Sequence, residues 1–155
     1  MNRRQFLAFG LCLFPYSIAA LGAEYRKSHP GAWQASSINE AALALYGREK
    51  FATIQKSTAI ELDVPKPFVE DRENILISIR SKLKAKTVAI FQDANPKSLV
   101  AVFEVGEEGI VDYELHIRMV FKGTLFVVIE GVDGKLYYAR QFVDILTMSC
   151  MASGA

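Results

Sequence analysis

The pattern of apolar and polar positions divides the chain into one helical stretch and a long run of strands. Residues 37–46 carry apolar side chains at Ile38, Ala41, Ala42, Leu45 and Tyr46. That spacing is the stripe of an amphipathic helix. Ser37, followed three residues later by Glu40, makes a capping box at its start, and Gly47 is placed to end it. From residue 57 the period becomes two. Ile60, Leu62 and Val64 alternate with Glu61 and Asp63, and Pro65 and Pro67 break that strand. Ile75, Ile77 and Ile79 mark a second strand that ends at Arg80. The third, residues 86–92, is apolar at successive positions through Val88-Ala89-Ile90-Phe91, which predicts a central strand covered on both faces. Asp93-Ala94-Asn95-Pro96 is a turn, with Asn and Pro supplying the bend.

A fourth strand follows over residues 99–105, then the loop Gly106-Glu107-Glu108-Gly109. Residues 111–121 alternate most cleanly. Val111, Tyr113, Leu115, Ile117, Met119 and Phe121 are expected on one face, and Asp112, Glu114, His116 and Arg118 on the other. Gly123 marks a turn, residues 125–132 form a strand, and Asp133-Gly134 is a strong hairpin signal before a last strand over residues 135–146. About seven strands at intervals of roughly ten to fifteen residues, with no helices between them, predict an all-β fold. The expected form is an immunoglobulin-like antiparallel β-sandwich with one N-terminal amphipathic helix. A small barrel is the second choice.

The first 23 residues stand outside this scheme. Asn2-Arg3-Arg4-Gln5-Phe6-Leu7 resembles a twin-arginine export signal, with Arg3 and Arg4 as its paired arginines. An apolar segment of about 15 residues follows, shorter than the ~20 a bilayer span needs. Small residues at Ala19, Ala20, Gly22 and Ala23 then offer a cleavage site. The expected organisation is a signal peptide over 1–23, an extended arm over 24–36, the helix and sandwich over 37–146, and a mobile C-terminal tail over 147–155. The expected location is the periplasm, with no membrane attachment after cleavage.

Charge adds little. Loss of the leader removes two of the 18 basic residues and none of the 17 acidic ones, so the net charge moves from +1 to −1. No basic run points to nucleic acid. Hydrophobic residues at 51% are enough for a core, and charged residues at 23% argue against disorder.

Candidate chemistry narrows quickly. After processing, His29, His116 and Cys150 are the remaining soft or nitrogen ligands, scattered along the chain, whereas a structural zinc site needs four that converge. No metal, cofactor or catalytic residue is therefore assigned. Of the two cysteines, Cys12 lies in the leader, preceded by Phe9-Gly10-Leu11 and not by the small residues a lipoprotein site requires. Cys150 is left without an intramolecular partner. It follows the last strand on a tail of mostly small residues, and three residues past Thr147 carry its thiol roughly 10 Å beyond the sheet. No Lys, Arg or His lies within nine residues of it. A thiol with the ordinary pKa of about 8.5 is only a few per cent thiolate at neutral pH, so activation must come from whatever receives it. On residues alone, Cys150 is an attachment point, a terminal cysteine without a role, or half of a disulfide between two copies.

Several stretches together resemble one family. They are Val88-Ala89-Ile90-Phe91-Gln92-Asp93-Ala94-Asn95-Pro96, then Leu99-Val100-Ala101-Val102-Phe103, His116-Ile117-Arg118-Met119, and Asp133-Gly134-Lys135-Leu136-Tyr137. A cysteine closes the series a few residues past the last strand. In this order they resemble the SoxY family, the sulfur-carrier subunit of the periplasmic thiosulfate-oxidising (Sox) system, over about residues 37–150. The resemblance implies a heterodimer with a second, SoxZ-like subunit. It implies that Cys150 is the cysteine that carries sulfur intermediates, loaded by a haem c-containing enzyme and relieved of sulfate by a hydrolase. The protein would then be a carrier and not an enzyme. The alternatives are a non-carrier interaction subunit of a periplasmic sulfur-metabolism assembly, or a divergent paralogue with another cargo. One departure bears on them: the family flanks its cysteine with glycines, and here the flanks are Met148-Ser149 and Met151-Ala152.

Overall fold

A computed structural model describes residues 24–64 and 71–145. The helix expected after Ser37 is α3, Ile38–Tyr46. The Ser37 hydroxyl accepts the Glu40 N–H at 3.2 Å, which satisfies one orphan donor of the first turn. Gly47 ends α3 at φ +79°, a conformation L side chains rarely adopt, and the chain continues into α4, Arg48–Ala52. Residues 24–36 correct the expectation of an extended arm. They form two short helices, α1 (Tyr25–Ser28) and α2 (Pro30–Gln34). Pro30 sits in the first turn of α2, where its missing N–H costs nothing. Burial supplies the reason for folding: Ala32 is inaccessible, and Tyr25 and Trp33 pack on the core beside it.

Eight strands follow: β1 (Gln55–Lys56), β2 (Ile60–Asp63), β3 (Ile75–Ser81), β4 (Ala85–Gln92), β5 (Leu99–Glu104), β6 (Val111–Ile117), β7 (Gly123–Gly131) and β8 (Leu136–Val143). They form a five-stranded sheet in the order β1-β8-β7-β4-β5 and a three-stranded sheet in the order β2-β3-β6. Every pairing is antiparallel except the two-residue β1, which runs parallel to β8. This is the expected immunoglobulin-like sandwich, with three short helical segments beyond the one predicted.

Two cores hold three layers together. Between the sheets lie Ile75, Ile77, Ile79, Val88, Ile90, Leu125, Val127, Ile129 and Val143. Between the five-stranded sheet and the helices lie Ala41, Ala42, Leu45, Ala89, Phe91, Val128 and Leu136. β4 contributes to both, so its unbroken apolar run is the sequence trace of a strand with no solvent face. The helix layer is also pinned by charge. Lys50 of α4 meets Glu130 of β7 at 2.7 Å, and the Glu130 side chain is only 12% exposed.

One expectation fails at the end of β6. The alternation from Val111 was expected to carry Phe121 inward. The strand stops at Ile117, the chain bends, and Phe121 is 67% exposed while Met119 stays fully buried. Gly123, expected in a turn, is instead the first residue of β7.

Ile90→Ala should lower stability by about 2–5 kcal/mol, because a fully buried side chain between the sheets leaves a cavity. Glu61→Ala, on the solvated face of β2, should stay within about 0.5 kcal/mol. Urea unfolding followed by far-UV circular dichroism distinguishes the two.

Candidate functional site

Cys150, Arg3, Arg4 and both methionines flanking the cysteine lie outside the described residues. What the structure describes is the root from which the tail leaves. β8 ends at Val143, 1% exposed, and Ile145 is still buried in the core between the sheets. Cys150 is the fifth residue after Ile145, with four residues between them.

The root lies at one end of the sandwich, and the turn after β4 organises that end. Gln92, almost completely buried, donates its amide to the Lys97 carbonyl at 2.8 Å and accepts the Ala94 N–H at 2.6 Å. The Asp93 carboxylate accepts the Thr124 N–H at 2.6 Å. Asn95 bridges a third segment: its side-chain amide donates to the Arg118 carbonyl at 2.8 Å, and its side-chain oxygen accepts the Val120 N–H at 2.8 Å. Three polar residues within four positions thus satisfy backbone groups of the turn and of two neighbouring segments. The Met119 N–H donates to the Arg72 carbonyl at 3.0 Å, which joins the segment before β3 to the same assembly.

Gly123 closes the circuit. It pairs with Val143 across β7 and β8, so the turn is two contacts away from the start of the tail. A Cβ at Gly123 would collide with the Asp93 carboxylate and come within 3.1 Å of the Ala94 Cβ. The approach of the turn to β7 therefore requires glycine here. At this end Phe121 and Phe142 are exposed, at 67% and 57%.

The histidines do not converge with this site or with each other. His116 is exposed on the outer face of the three-stranded sheet, opposite Leu76 on β3. His29 stacks on Tyr25 in the helix layer, ring centroids 5.8 Å apart. No cluster of three or more metal-ligating side chains occurs among the described residues. Titratable groups with displaced pKa values also lie elsewhere. In the hairpin at the far end of β7 and β8, the Tyr137 hydroxyl donates to Asp133 at 2.8 Å, which lowers the Asp133 pKa and raises that of Tyr137. Burial raises the pKa of Tyr25 and Tyr46 under the helices.

Sequence reading placed Asp93 to Pro96 in a turn but missed what Gln92, Asp93 and Asn95 do there. The available signal was a cluster of amides and a carboxylate straight after the apolar run Val88-Ala89-Ile90-Phe91, where a buried polar group such as Gln92 must find partners.

The sequence profile of the family described as "Sulfur oxidation protein SoxY" matches residues 44–150, more than half of the chain and ending on Cys150 itself. The chain belongs to the SoxY family. Among solved structures, this SoxY-family chain is similar to the sulfur carrier protein SoxY from Chlorobium limicola f thiosulfatophilum. The likeness has 29% identity and a TM-score of 0.62, over 72% of this chain and 98% of that one. It also resembles a superoxide reductase (neelaredoxin) from Ignicoccus hospitalis, with 7% identity and a TM-score of 0.55 over 62% and 98% of the two chains. A putative superoxide reductase from Thermotoga maritima gives 11% and 0.52 over 63% and 97%. At such identities the last two share the fold alone. No curated protein matches the sequence. No helix among the described residues is long and apolar enough to cross a membrane.

Asn95→Ala should destabilise the fold by about 1–3 kcal/mol, since it strips partners from the Val120 N–H and the Arg118 carbonyl together. Hydrogen exchange at Val120 should accelerate more than exchange in β4, as read by mass spectrometry of peptic fragments.

Proposed function

We propose that this SoxY-family chain is an exported covalent sulfur carrier and that Cys150 holds the cargo. The observation that carries the reading is the family match ending on Cys150, on a chain whose last buried anchor is Ile145. Five residues reach at most roughly 17 Å, enough to bring a thiol from the sandwich into another protein's active site. In the absence of a base, a metal cluster or a second thiol nearby in sequence, the partner supplies the chemistry.

Loading is an oxidation. The Cys150 thiol and thiosulfate join through a new S–S bond, release one proton and give up two electrons, which the haem c-containing enzyme implied by the family takes. Hydrolysis of the terminal S–SO3 bond then transfers the sulfonate group to water as sulfate with release of one proton, and leaves a persulfide, S–SH, on Cys150. The carrier contributes the sulfur nucleophile and its delivery, and no catalytic group. Arg3 and Arg4 would send the chain to the periplasm by the twin-arginine route, and a SoxZ-like subunit would complete the heterodimer.

Protein purified from sulfur-oxidising cells should carry mass adducts of whole sulfur atoms, with or without sulfonate. The same adducts on Cys150→Ser would overturn the assignment. Unimpaired thiosulfate oxidation by a Cys150→Ala strain would favour an interaction subunit instead.

The methionine flanks favour a cargo or receiver other than the family's usual one. Met148→Gly with Met151→Gly should raise loading by a family haem c enzyme from a glycine-flanked system about tenfold in kcat/KM, roughly 1.4 kcal/mol. Stopped-flow haem reduction measures it.

A further inference from the structure

Asp133-Gly134 is the one place in the chain where an aspartate or asparagine precedes glycine. With no Cβ on the second residue, nothing crowds the approach of its nitrogen to the carboxyl carbon, so this dipeptide closes most readily to a five-membered imide. The Gly134 nitrogen bonds to Asp133 Cγ, and the carboxyl hydroxyl leaves with the amide proton as water. Water then reopens the ring at either carbonyl. Reopening at the main-chain carbonyl leaves the backbone running through Cγ as an isoaspartate, with no change in mass and no oxidant consumed. The step needs the protonated carboxyl, because a carboxylate has no hydroxyl to lose.

The hairpin between β7 and β8 holds both reacting groups away from this step. Asp133 Oδ2 accepts the Tyr137 hydroxyl at 2.8 Å, and Oδ1 accepts the Lys135 N–H at 3.1 Å. Both donors favour the ionised form, and the Asp133 pKa lies below the usual carboxylate range, with the Tyr137 bond as the largest cause. Lys135 adds a favourable charge, and Lys84 lines the same small hollow. Gly131 gives the carboxylate its room: a Cβ there would collide with Asp133 Oδ1 and come within 3.3 Å of the Tyr137 ring. The Gly134 N–H is occupied as well, since it donates to the Gly131 carbonyl at 2.9 Å. Tyr137 itself pairs with Ile129 of β7, so the sheet and not the loop carries the protecting hydroxyl.

We propose that Asp133-Gly134 is a latent isoaspartate site and that Tyr137 is the positioning residue that keeps it closed. The turn requires Gly134, whose φ is +77°, and Tyr137 offsets the lability that this glycine brings. The lesion would reach beyond the loop. An extra backbone atom after Asp133 disrupts the closure in which the Gly131 N–H donates to the Lys135 carbonyl at 2.9 Å. Glu130, the next residue along β7, accepts Lys50 of the helix layer at 2.7 Å. This chemistry is independent of Cys150 and its cargo.

The test ages the exported chain in heavy-oxygen water and maps its peptides by mass spectrometry. Each passage through the imide leaves one heavy oxygen at Asp133, and the isoaspartyl peptide separates by retention time. The folded chain should gain label at least about tenfold more slowly than the same chain unfolded in guanidinium. Tyr137→Phe keeps the ring and removes the hydroxyl donor, and it should speed labelling of the folded chain at least about threefold. The Asp93-Ala94 peptide of the same digest is the reference and should stay unlabelled in both. Titration of the Asp133 carboxyl, followed by carbon NMR, separates protection of the carboxylate from a looser hairpin. Its midpoint should rise in Tyr137→Phe, and the pH below which imide formation stops accelerating should rise with it.

Equal labelling of Tyr137→Phe and the unmodified chain overturns the proposal. So does faster labelling with an unmoved titration midpoint, because the hydroxyl would then act only by stiffening the hairpin. Labelling of the folded chain as fast as that of the unfolded one overturns it too.

Discussion

Strand β4 is buried on both faces, and the other layers are placed by it. Val88 and Ile90 face the three-stranded sheet, while Ala89 and Phe91 face the helices. From Thr87 to Gln92 the strand gains burial at every residue, but it loses the usual guide to register. A slip of one residue in an amphipathic strand exposes its core face, whereas here it would exchange one apolar residue for another. Polar residues at the two ends remove the degeneracy. Thr87 lies within 3.5 Å of Glu130, which Lys50 holds from α4. Gln92 closes the turn at the other end through Lys97 and Ala94. Register shifts at Ala85/Thr87 and Ile90/Phe91 then adjust the strand to its neighbours between these fixed points.

The same device that fixes β4 builds the root of the tail. Gln92 belongs to the strand, Asp93 reaches β7, and Asn95 reaches the segment after β6. The Gln92 amide is almost completely buried and costly unless paired, so the turn holds one geometry or loses several bonds at once. For a protein whose proposed task is to present a thiol, that stiffness has a use. The shorter the compliant stretch between a rigid body and the reacting atom, the smaller the volume it must search and the less entropy it loses on entering a partner.

The sandwich was legible because two periods, 3.6 and 2, are written plainly in the chain. Ile75, Ile77 and Ile79 and the Ser37–Glu40 cap are where alternation and capping chemistry placed them. The helices over residues 25–34 were not legible, since each is too short to show a period and folds only by packing Ala32, Tyr25 and Trp33 on the sheet. Phe121 was misplaced for the opposite reason: the period continued in sequence after the strand had ended in space. The family was readable from the run around Gln92-Asp93-Ala94-Asn95, although the physical reason for that run became visible only in the clamps it makes. Hydrogen bonds from side chains to distant backbone leave no periodic trace.

The methionines beside Cys150 bear on what kind of partner fits. Glycine flanks would make a thin tail with wide φ/ψ freedom, suited to a narrow passage that touches mainly backbone. Met148 and Met151 widen the tail, and their unbranched, polarizable side chains adapt to irregular apolar walls. A passage able to admit them must be broader, and it gains affinity from lining that passage with apolar groups. Under the carrier reading the tail then asks for a receiver that recognises it by hydrophobic contact, with backbone slimness mattering less. That is a physical reason to expect a partner co-adapted with this chain in place of one shared with glycine-flanked relatives.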